Sequence, residues 1–154
     1  MSEIRFAQIN GIGPEFDEKT NLDIFDACAQ IRGEVFIVEQ GYEEEFDGTD
    51  SVATHVLMLV DEKPAGCGRV FKNFDNLKEH IIGRVCILKE YRGHGLGSVL
   101  LKGIEESVNG KIYKLHAQED KKVFYEKNGY SLVDDTVDLD EGVPHVWMSK
   151  IVKR

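Results

Sequence analysis

Ile4-Arg5-Phe6-Ala7-Gln8-Ile9 alternates apolar and polar side chains, the period of a strand with one buried face. Asn10 to Asn21, with Gly11, Gly13 and Pro14, reads as a loop. From Leu22 to about Glu39 the apolar positions Leu22, Phe25, Cys28, Ala29, Val35 and Phe36 fall at helical spacing, which predicts an amphipathic helix broken at Gly33. Gly41 to Ser51 carries Glu43, Glu44, Glu45, Asp47 and Asp50 and predicts a solvated acidic loop. Val52 to Val60 and Ala65 to Phe71 are the strands of a hairpin closed by Asp61-Glu62-Lys63-Pro64. The polar stretch Asn73 to His80 leads into Ile81-Ile82-Gly83-Arg84-Val85-Cys86-Ile87-Leu88, a largely apolar central strand. Val99, Leu100, Ile104 and Val108 share one face of a helix over Gly97 to Val108, and Asn109-Gly110 has the composition of a left-handed C-terminal cap. Lys111 to Gln118 is a strand, and Asp120 to Asn128 a short helix closed by Gly129. Tyr130 to Leu139 and Val143 to Val152 form a last antiparallel pair joined by Asp140-Glu141-Gly142.

The predicted order is β-α-β-β-β-α-β-α-β-β. Strand, helix and strand over residues 81–118 make one βαβ unit, whose crossover dictates parallel strands. The hairpins around it are antiparallel, so the sheet is mixed and the class is α+β. With 154 residues and no repeat or linker, residues 1–154 are expected to form a single domain.

Charge narrows the partners. Lys and Arg total 19 against 28 Asp and Glu, a formal net charge of -9. That balance argues against a nucleic-acid surface, which needs clustered cations, but leaves room for one local phosphate site. The acidic loop instead suits a cationic amine or basic peptide. No apolar run is long enough to cross a bilayer, and the N-terminus lacks the order of a secretory signal. Cys28, Cys67 and Cys86 are odd in number, far apart and set among apolar or small residues. They read as reduced core thiols of a cytoplasmic protein rather than a disulfide set or metal site, with a catalytic thiol as the minor alternative.

The chemistry concentrates in Arg92-Gly93-His94-Gly95-Leu96-Gly97-Ser98, between the central strand and the long helix. Alternate glycines let backbone approach a ligand closely, and the helix beyond aims free N–H groups and its positive dipole end at the turn. Together these make an anion cradle suited to a pyrophosphate. A P-loop would need Lys before Ser98, and a dinucleotide fingerprint would need Gly-x-Gly-x-x-Gly early in repeated βαβ units. Neither fits.

The segment does match the Arg/Gln-x-x-Gly-x-Gly/Ala signature of the GNAT acyl-CoA N-acyltransferases. Val85-Cys86-Ile87 resembles the strand that pairs with pantetheine, and Phe124-Tyr125-Glu126-Lys127-Asn128-Gly129-Tyr130 resembles the family's second signature. Val35-Phe36-Ile37-Val38-Glu39-Gln40, His55, Ala117-Gln118 and Gly142-Val143-Pro144-His145-Val146-Trp147-Met148 resemble the ElaA-like (YjcF-like) branch. The resemblance covers most of the chain. It implies a GNAT-like, mostly antiparallel sheet flanked by helices, with a splayed parallel pair at its centre.

It also implies a transferase that moves an acetyl group from acetyl-CoA to an amine by direct attack, without a metal. Amides of Gly93, His94, Gly95, Leu96, Gly97 and Ser98 would hold the pyrophosphate, with Arg92 and His94 adding charge. Val85, Cys86 and Ile87 would pair with pantetheine, and Gln118 falls where relatives carry an Asn that contacts the cofactor chain. Tyr125 would protonate or hydrogen-bond the departing thiolate. Relatives often carry a Glu base on the strand after the long helix, where this chain has Tyr113, so the base stays open among Glu39, Glu43, Glu44, His55 and His145. Trp147 belongs either to the core or to a subunit contact, homodimers being common among relatives. The alternative from another class is an acyl-CoA-binding sensor module with weak catalysis.

Overall fold

The computed structural model describes residues 2–42 and 46–153. Its strands are β1 (Ile4–Asn10), β2 (Thr54–Val60), β3 (Lys63–Lys72), β4 (Glu79–Ile87), β5 (Ile112–Gln118), β6 (Ser131–Leu132), β7 (Asp138–Asp140) and β8 (Val143–Ile151). The α-helices are α1 (Ile24–Arg32), α2 (Leu96–Glu106) and α3 (Lys122–Lys127). One sheet runs β1-β2-β3-β4-β5-β8-β6, with β7 also paired to β8. Every pairing is antiparallel except β4 with β5.

Alternation along each strand divides the core into two layers. Leu57, Leu59, Cys67 and Cys86 face α1 and pack with Ile24, Cys28 and Ile31. Val56, Met58, Val70, Ile82, Leu115 and Met148 face α2 and pack with Leu100, Leu101 and Ile104. The three cysteines are free and buried, as core thiols should be.

The chain departs from the sequence pattern in four places. Gly33 does not break the first helix: it stays right-handed (φ -60°, ψ -44°), and Gly33–Glu39 continues as a π-helical segment. The wider turn carries Glu39 and Gln40 to the mouth of a cleft described below, and π-turns often occur at such places. Asn109-Gly110 is not a left-handed cap either. α2 ends at Glu106 with right-handed Ser107, and a Cβ on Gly110 would lie 2.8 Å from the Tyr113 hydroxyl, so close packing is what requires glycine there. In the stretch from Tyr130 to Leu139, Ser131–Leu132 and Asp138–Asp140 are the parts that pair with β8.

The fourth departure is the acidic loop. Glu43, Glu44 and Glu45 lie outside the described residues, but Asp50 turns inward, and Asp47, its side chain 42% exposed, is held by arginines at the surface end of the same cluster. Asp50 is 4% exposed and pairs with Arg32 (1% exposed) at 2.9 and 3.2 Å and with Arg69 (5% exposed) at 2.8 Å. Asp47 receives Arg69 at 2.7 and 3.1 Å and Arg84 at 3.4 Å. A carboxylate as deep as that of Asp50 persists only because guanidinium donors replace the lost water. The cluster ties α1, the turn Gly48–Ser51 and β3 together.

Burial pushes the Asp50 carboxyl up, but the hydrogen bonds from Arg32 and Arg69 outweigh it and hold it below its ordinary range. Hydrogen bonds from Arg69 likewise depress Asp47, and those from Arg5 and Thr20 depress Asp17. Groups with folded pKa below unfolded pKa contribute stability above about pH 4 and lose it as pH falls through their folded values. Asp50→Ala, which takes the shared buried carboxylate away from Arg32 and Arg69, should cost about 3–5 kcal/mol and flatten the loss of stability on acidification below pH 4. Urea unfolding at pH 7 and pH 3.5 measures both; a loss under 1 kcal/mol on the same order-of-magnitude scale would remove the cluster's structural role.

Candidate active site

β4 and β5 begin as a parallel pair and then separate. Their rungs run from Glu79↔Ile112 to Ile82↔Leu115 and stop there. Beyond that point β4 follows β3 to Gly66↔Ile87, while β5 follows β8 to Gln118↔His145. A bulge drives the separation: between two rungs of the β3–β4 ladder, Gly68 alone opposes Arg84 and Val85. Arg84 takes a left-handed φ of +55° to accommodate the extra residue. The result is a cleft of about 930 Å³ between the diverging strands, with Val85, Cys86 and Ile87 on one wall and His116, Ala117 and Gln118 on the other. Peptide groups on the facing edges lack their next ladder partner, so a ligand carrying amides would complete the sheet.

The Arg92–Ser98 turn closes one end. Gly93 and Gly95 have φ of +83° and +74°, conformations that burden any residue with a Cβ. Gly95 is also the N-cap of α2 and supplies no side-chain cap, so the first N–H groups of the helix stay open. A Cβ added to either glycine would meet no atom within 4 Å, so the space in front of the turn is clear. Gly97 faces inward, where a Cβ would approach the Phe124 ring at 3.0 Å, and α3 therefore sits directly against the turn. Gly93, Gly95, Leu96, Gly97 and Ser98 line the cleft. His94 is exposed beside it and is not among the lining residues.

Arg92 is committed elsewhere. Its Nε donates to the Ile87 carbonyl at 2.9 Å, and its two Nη groups grip the Glu39 carboxylate at 2.9 and 3.0 Å. That bidentate contact holds the Glu39 carboxyl below the usual range. Across the mouth, Gln118 Nε2 donates to Gln40 Oε1 at 2.7 Å and approaches the Tyr42 hydroxyl at 3.4 Å. Residues 39–42 thus bridge the ends of both diverging strands.

Tyr125 reaches the cleft from α3, edge-on to Phe124 and Tyr130. Among the described residues its hydroxyl makes no hydrogen bond. Burial pushes its phenol up to about 12, so it is protonated and free to donate.

The histidines separate. His55 is a core residue: it is 1% exposed, lies 2.9 Å through Nε2 from the Asp50 carbonyl, and burial pushes its imidazole down. It does not line the cleft. His145 does, with Nδ1 at 2.8 Å from the Val143 carbonyl. A carbonyl only accepts, so Nδ1 carries the hydrogen and Nε2 keeps the basic lone pair. His116, which the motif reading passed over, lines the same wall with its ring centroid 4.9 Å from that of His145. Its position two residues before Gln118 on an alternating strand was a usable signal. Trp147 lies under His116, the rings 4.6 Å apart, with the Lys114 ammonium 5.1 Å from its centroid. Of the thiols, Cys28 lies in the core, where its contact with Cys67 and burial hold it well above the ordinary range, while Cys86 lies on the cleft wall.

Comparison with known proteins agrees with this geometry. Residues 19–152 match the family model described as "Acetyltransferase (GNAT) domain". YyaT of Bacillus subtilis strain 168 is 36% identical over 143 residues, covering 88% of this chain and 93% of its own length. The N-acetyltransferase YjcF of the same organism is 34% identical over 125 residues, covering 78% of this chain and 87% of its own. ElaA of Escherichia coli is 30% identical over 133 residues, 82% of this chain and 86% of its own. The ElaA crystal structure superposes with a TM-score of 0.79 at 26% identity, over 96% of this chain and 99% of that one. A bulged, splayed parallel pair beside an uncapped glycine turn, in a chain matched over nearly its whole length, makes this protein a member of the GNAT acetyltransferases.

Proposed function

We propose that the protein transfers an acetyl group from acetyl-CoA to a primary amine of a small molecule or peptide by direct attack. The observation that carries this reading is the junction of two features: a β4–β5 ladder that ends after Ile82↔Leu115, and an uncapped α2 N-terminus at the end of the gap. An extended chain with amides and a terminal diphosphate fits both. The cleared space before Gly93 and Gly95 fits the diphosphate, and the peptide edges of Val85, Cys86 and Ile87 fit pantetheine.

Acetyl-CoA supplies a thioester: the amine nitrogen bonds to its carbonyl carbon, and the carbon–sulfur bond breaks with the electron pair going to sulfur. A backbone N–H of the β4 bulge polarises the carbonyl oxygen. The Tyr125 hydroxyl donates a hydrogen bond to the departing sulfur. With the phenol near 12 and an ordinary thiol near 8.5, complete transfer of its proton is uphill, so stabilisation by hydrogen bonding is its main role. The proton released by the amine goes to His145 Nε2. Glu39 is the weaker base because Arg92 has lowered its proton affinity, and its place is to orient Arg92. Gln118 can turn its amide from Gln40 to the pantetheine chain at the cost of one hydrogen bond.

Calorimetry with acetyl-CoA, followed by thiol release over a panel of primary amines, tests the proposal. Binding without amine-stimulated release at any pH would leave an acyl-CoA-binding module and end the catalytic reading. Gly95→Glu, which puts a side chain and a negative charge into the cradle, should abolish acetyl-CoA binding in the same calorimeter. Retained affinity would move the diphosphate site elsewhere.

Tyr125→Phe removes one hydrogen bond to the departing sulfur and should lower kcat about tenfold while changing KM for acetyl-CoA less than threefold. Steady-state kinetics decides; an unchanged kcat would make Tyr125 a packing residue.

A further inference from the structure

His116, Gln118 and His145 of β5 and β8 line one wall of the cleft, and Asp138 of β7 meets His116 beside it. The β5–β8 register sets His145 opposite Gln118 and Trp147 opposite His116. The β7–β8 register sets Asp138 opposite His145. Directly opposed residues project from the same face, so Asp138, His145 and Gln118 form one row with His116 diagonal to it. His116 reaches over β8, and its Nε2 lies 3.1 Å from Asp138 Oδ2.

A carboxylate only accepts, so His116 Nε2 carries the hydrogen and its Nδ1 keeps the lone pair. His145 is fixed in the other tautomer by the Val143 carbonyl. Each imidazole therefore has one nitrogen committed to an acceptor and one left basic. The rings are 4.9 Å apart and tilted by 34°, close enough that a proton on one changes the proton affinity of the other.

We infer that His116, oriented by Asp138, works with His145 as a paired imidazole base that takes one proton from the acceptor amine in each transfer. The inference rests on the acetyl-transfer reading. The amine nitrogen loses one hydrogen as its bond to the acetyl carbon forms; that proton resides on His145 Nε2 or His116 Nδ1 and leaves to solvent before the next cycle. Two cationic rings at this distance would repel, so the geometry suits a pair that carries one proton at a time. The Asp138 carboxylate supplies the countercharge for the first. Asp138 is thereby a positioning residue, acting through His116.

Among the described residues, the other ionisable groups around the pair include Lys114 on β5, Lys121 just before α3, Asp140 and Glu141 at the β7–β8 turn, Tyr42 on the segment across the mouth and Arg84 on the opposite wall. They stay constant when Asp138 alone is changed. Asp138 has a side-chain exposure of 44%, so its replacement leaves the core intact. An ion pair this exposed, acting only as a structural contact, would leave the titration of His145 unmoved when Asp138 is changed.

The deciding measurement is an NMR titration of the histidine ring carbons in the protein without acetyl-CoA, for wild type, Asp138→Asn and His145→Gln. In wild type both rings should report the same two-step titration. Asp138→Asn removes the countercharge and should lower the first step. His145→Gln should leave His116 titrating in a single step. The acid limb of kcat/KM for the amine should move down in Asp138→Asn by the same interval as the first step. Independent one-step titrations in wild type, or an acid limb unmoved by Asp138→Asn, would overturn the inference. A wild-type protein that releases no thiol to any amine would instead defeat the acetyl-transfer reading, while the ring titrations would still decide whether the pair is coupled.

Discussion

Parallel strands that stop pairing inside a sheet create a problem that a fold must solve. Each peptide group beyond Ile82 and Leu115 keeps its hydrogen-bonding demand, and leaving such groups buried without partners costs more than a hydrogen bond gains. The sheet answers by opening the edges to a cleft rather than closing them with side chains. The opening is enforced from the β3 side: one extra residue in β4, with Arg84 in a left-handed conformation, redirects Val85 to Ile87 away from β5. β5 is meanwhile held straight by seven consecutive rungs to β8. The gap is therefore a property of two ladders with conflicting register and does not depend on a mobile loop.

The charge cluster serves that same gap. Arg32 and Arg69 converge on Asp50, and Asp47 bridges Arg69 to Arg84, the residue at the bulge. Apolar residues of equal volume could match the cluster in stability, because desolvating charges offsets most of their attraction. What apolar packing would lack is direction: guanidinium forks fix the angle of α1, and so the course of the π-helical segment that carries Glu39 and Gln40 over the mouth. A specificity role also explains why the acidic run could not be read correctly by composition. Carboxylates along a sequence look solvated until the fold brings arginines from β3 and α1 to meet them, and Arg32 and Arg69 are respectively 18 and 19 residues from Asp50.

Local pattern carried most of the fold. Strict alternation in β1 and β5, apolar spacing in α2 and the Arg92–Ser98 turn each encode their structure within a few residues, so periodicity and turn chemistry suffice. Gly33 and Gly110 misled because glycine has several uses: one stays in a right-handed turn, and the other is needed for the space beside Tyr113. In the site, the glycine turn, Tyr125 and Gln118 were accessible because they belong to contiguous motifs. His116 and Asp138 were not, since their contact joins β5 to β7 across β8 and exists only once two separate registers are set. His55 and His145 look alike in sequence, each a lone histidine on a strand. Both are buried, and what separates their chemistry is what each ring faces: one is sealed under Phe25 beside Asp50, the other lines a cleft.

The remaining tension is electrostatic. A chain with a net charge of -9 is poorly suited to attract a diphosphate, and Arg92, the basic residue of the motif, is already neutralised by Glu39. A cationic cradle would bind anions broadly, since point charges discriminate little by shape. Peptide N–H groups at a helix N-terminus act over one turn only, and they demand that acceptor oxygens sit where the backbone points. Tying Arg92 to the Ile87 carbonyl and to Glu39 thus gives up long-range attraction and gains geometry: the guanidinium fastens the end of β4 to the strap across the cleft. The seat proposed for the diphosphate and the wall carrying His116 and His145 are then set by one arrangement of backbone. In such a site, selection among anions follows from the length and amide spacing of the chain attached to the phosphates more than from their charge.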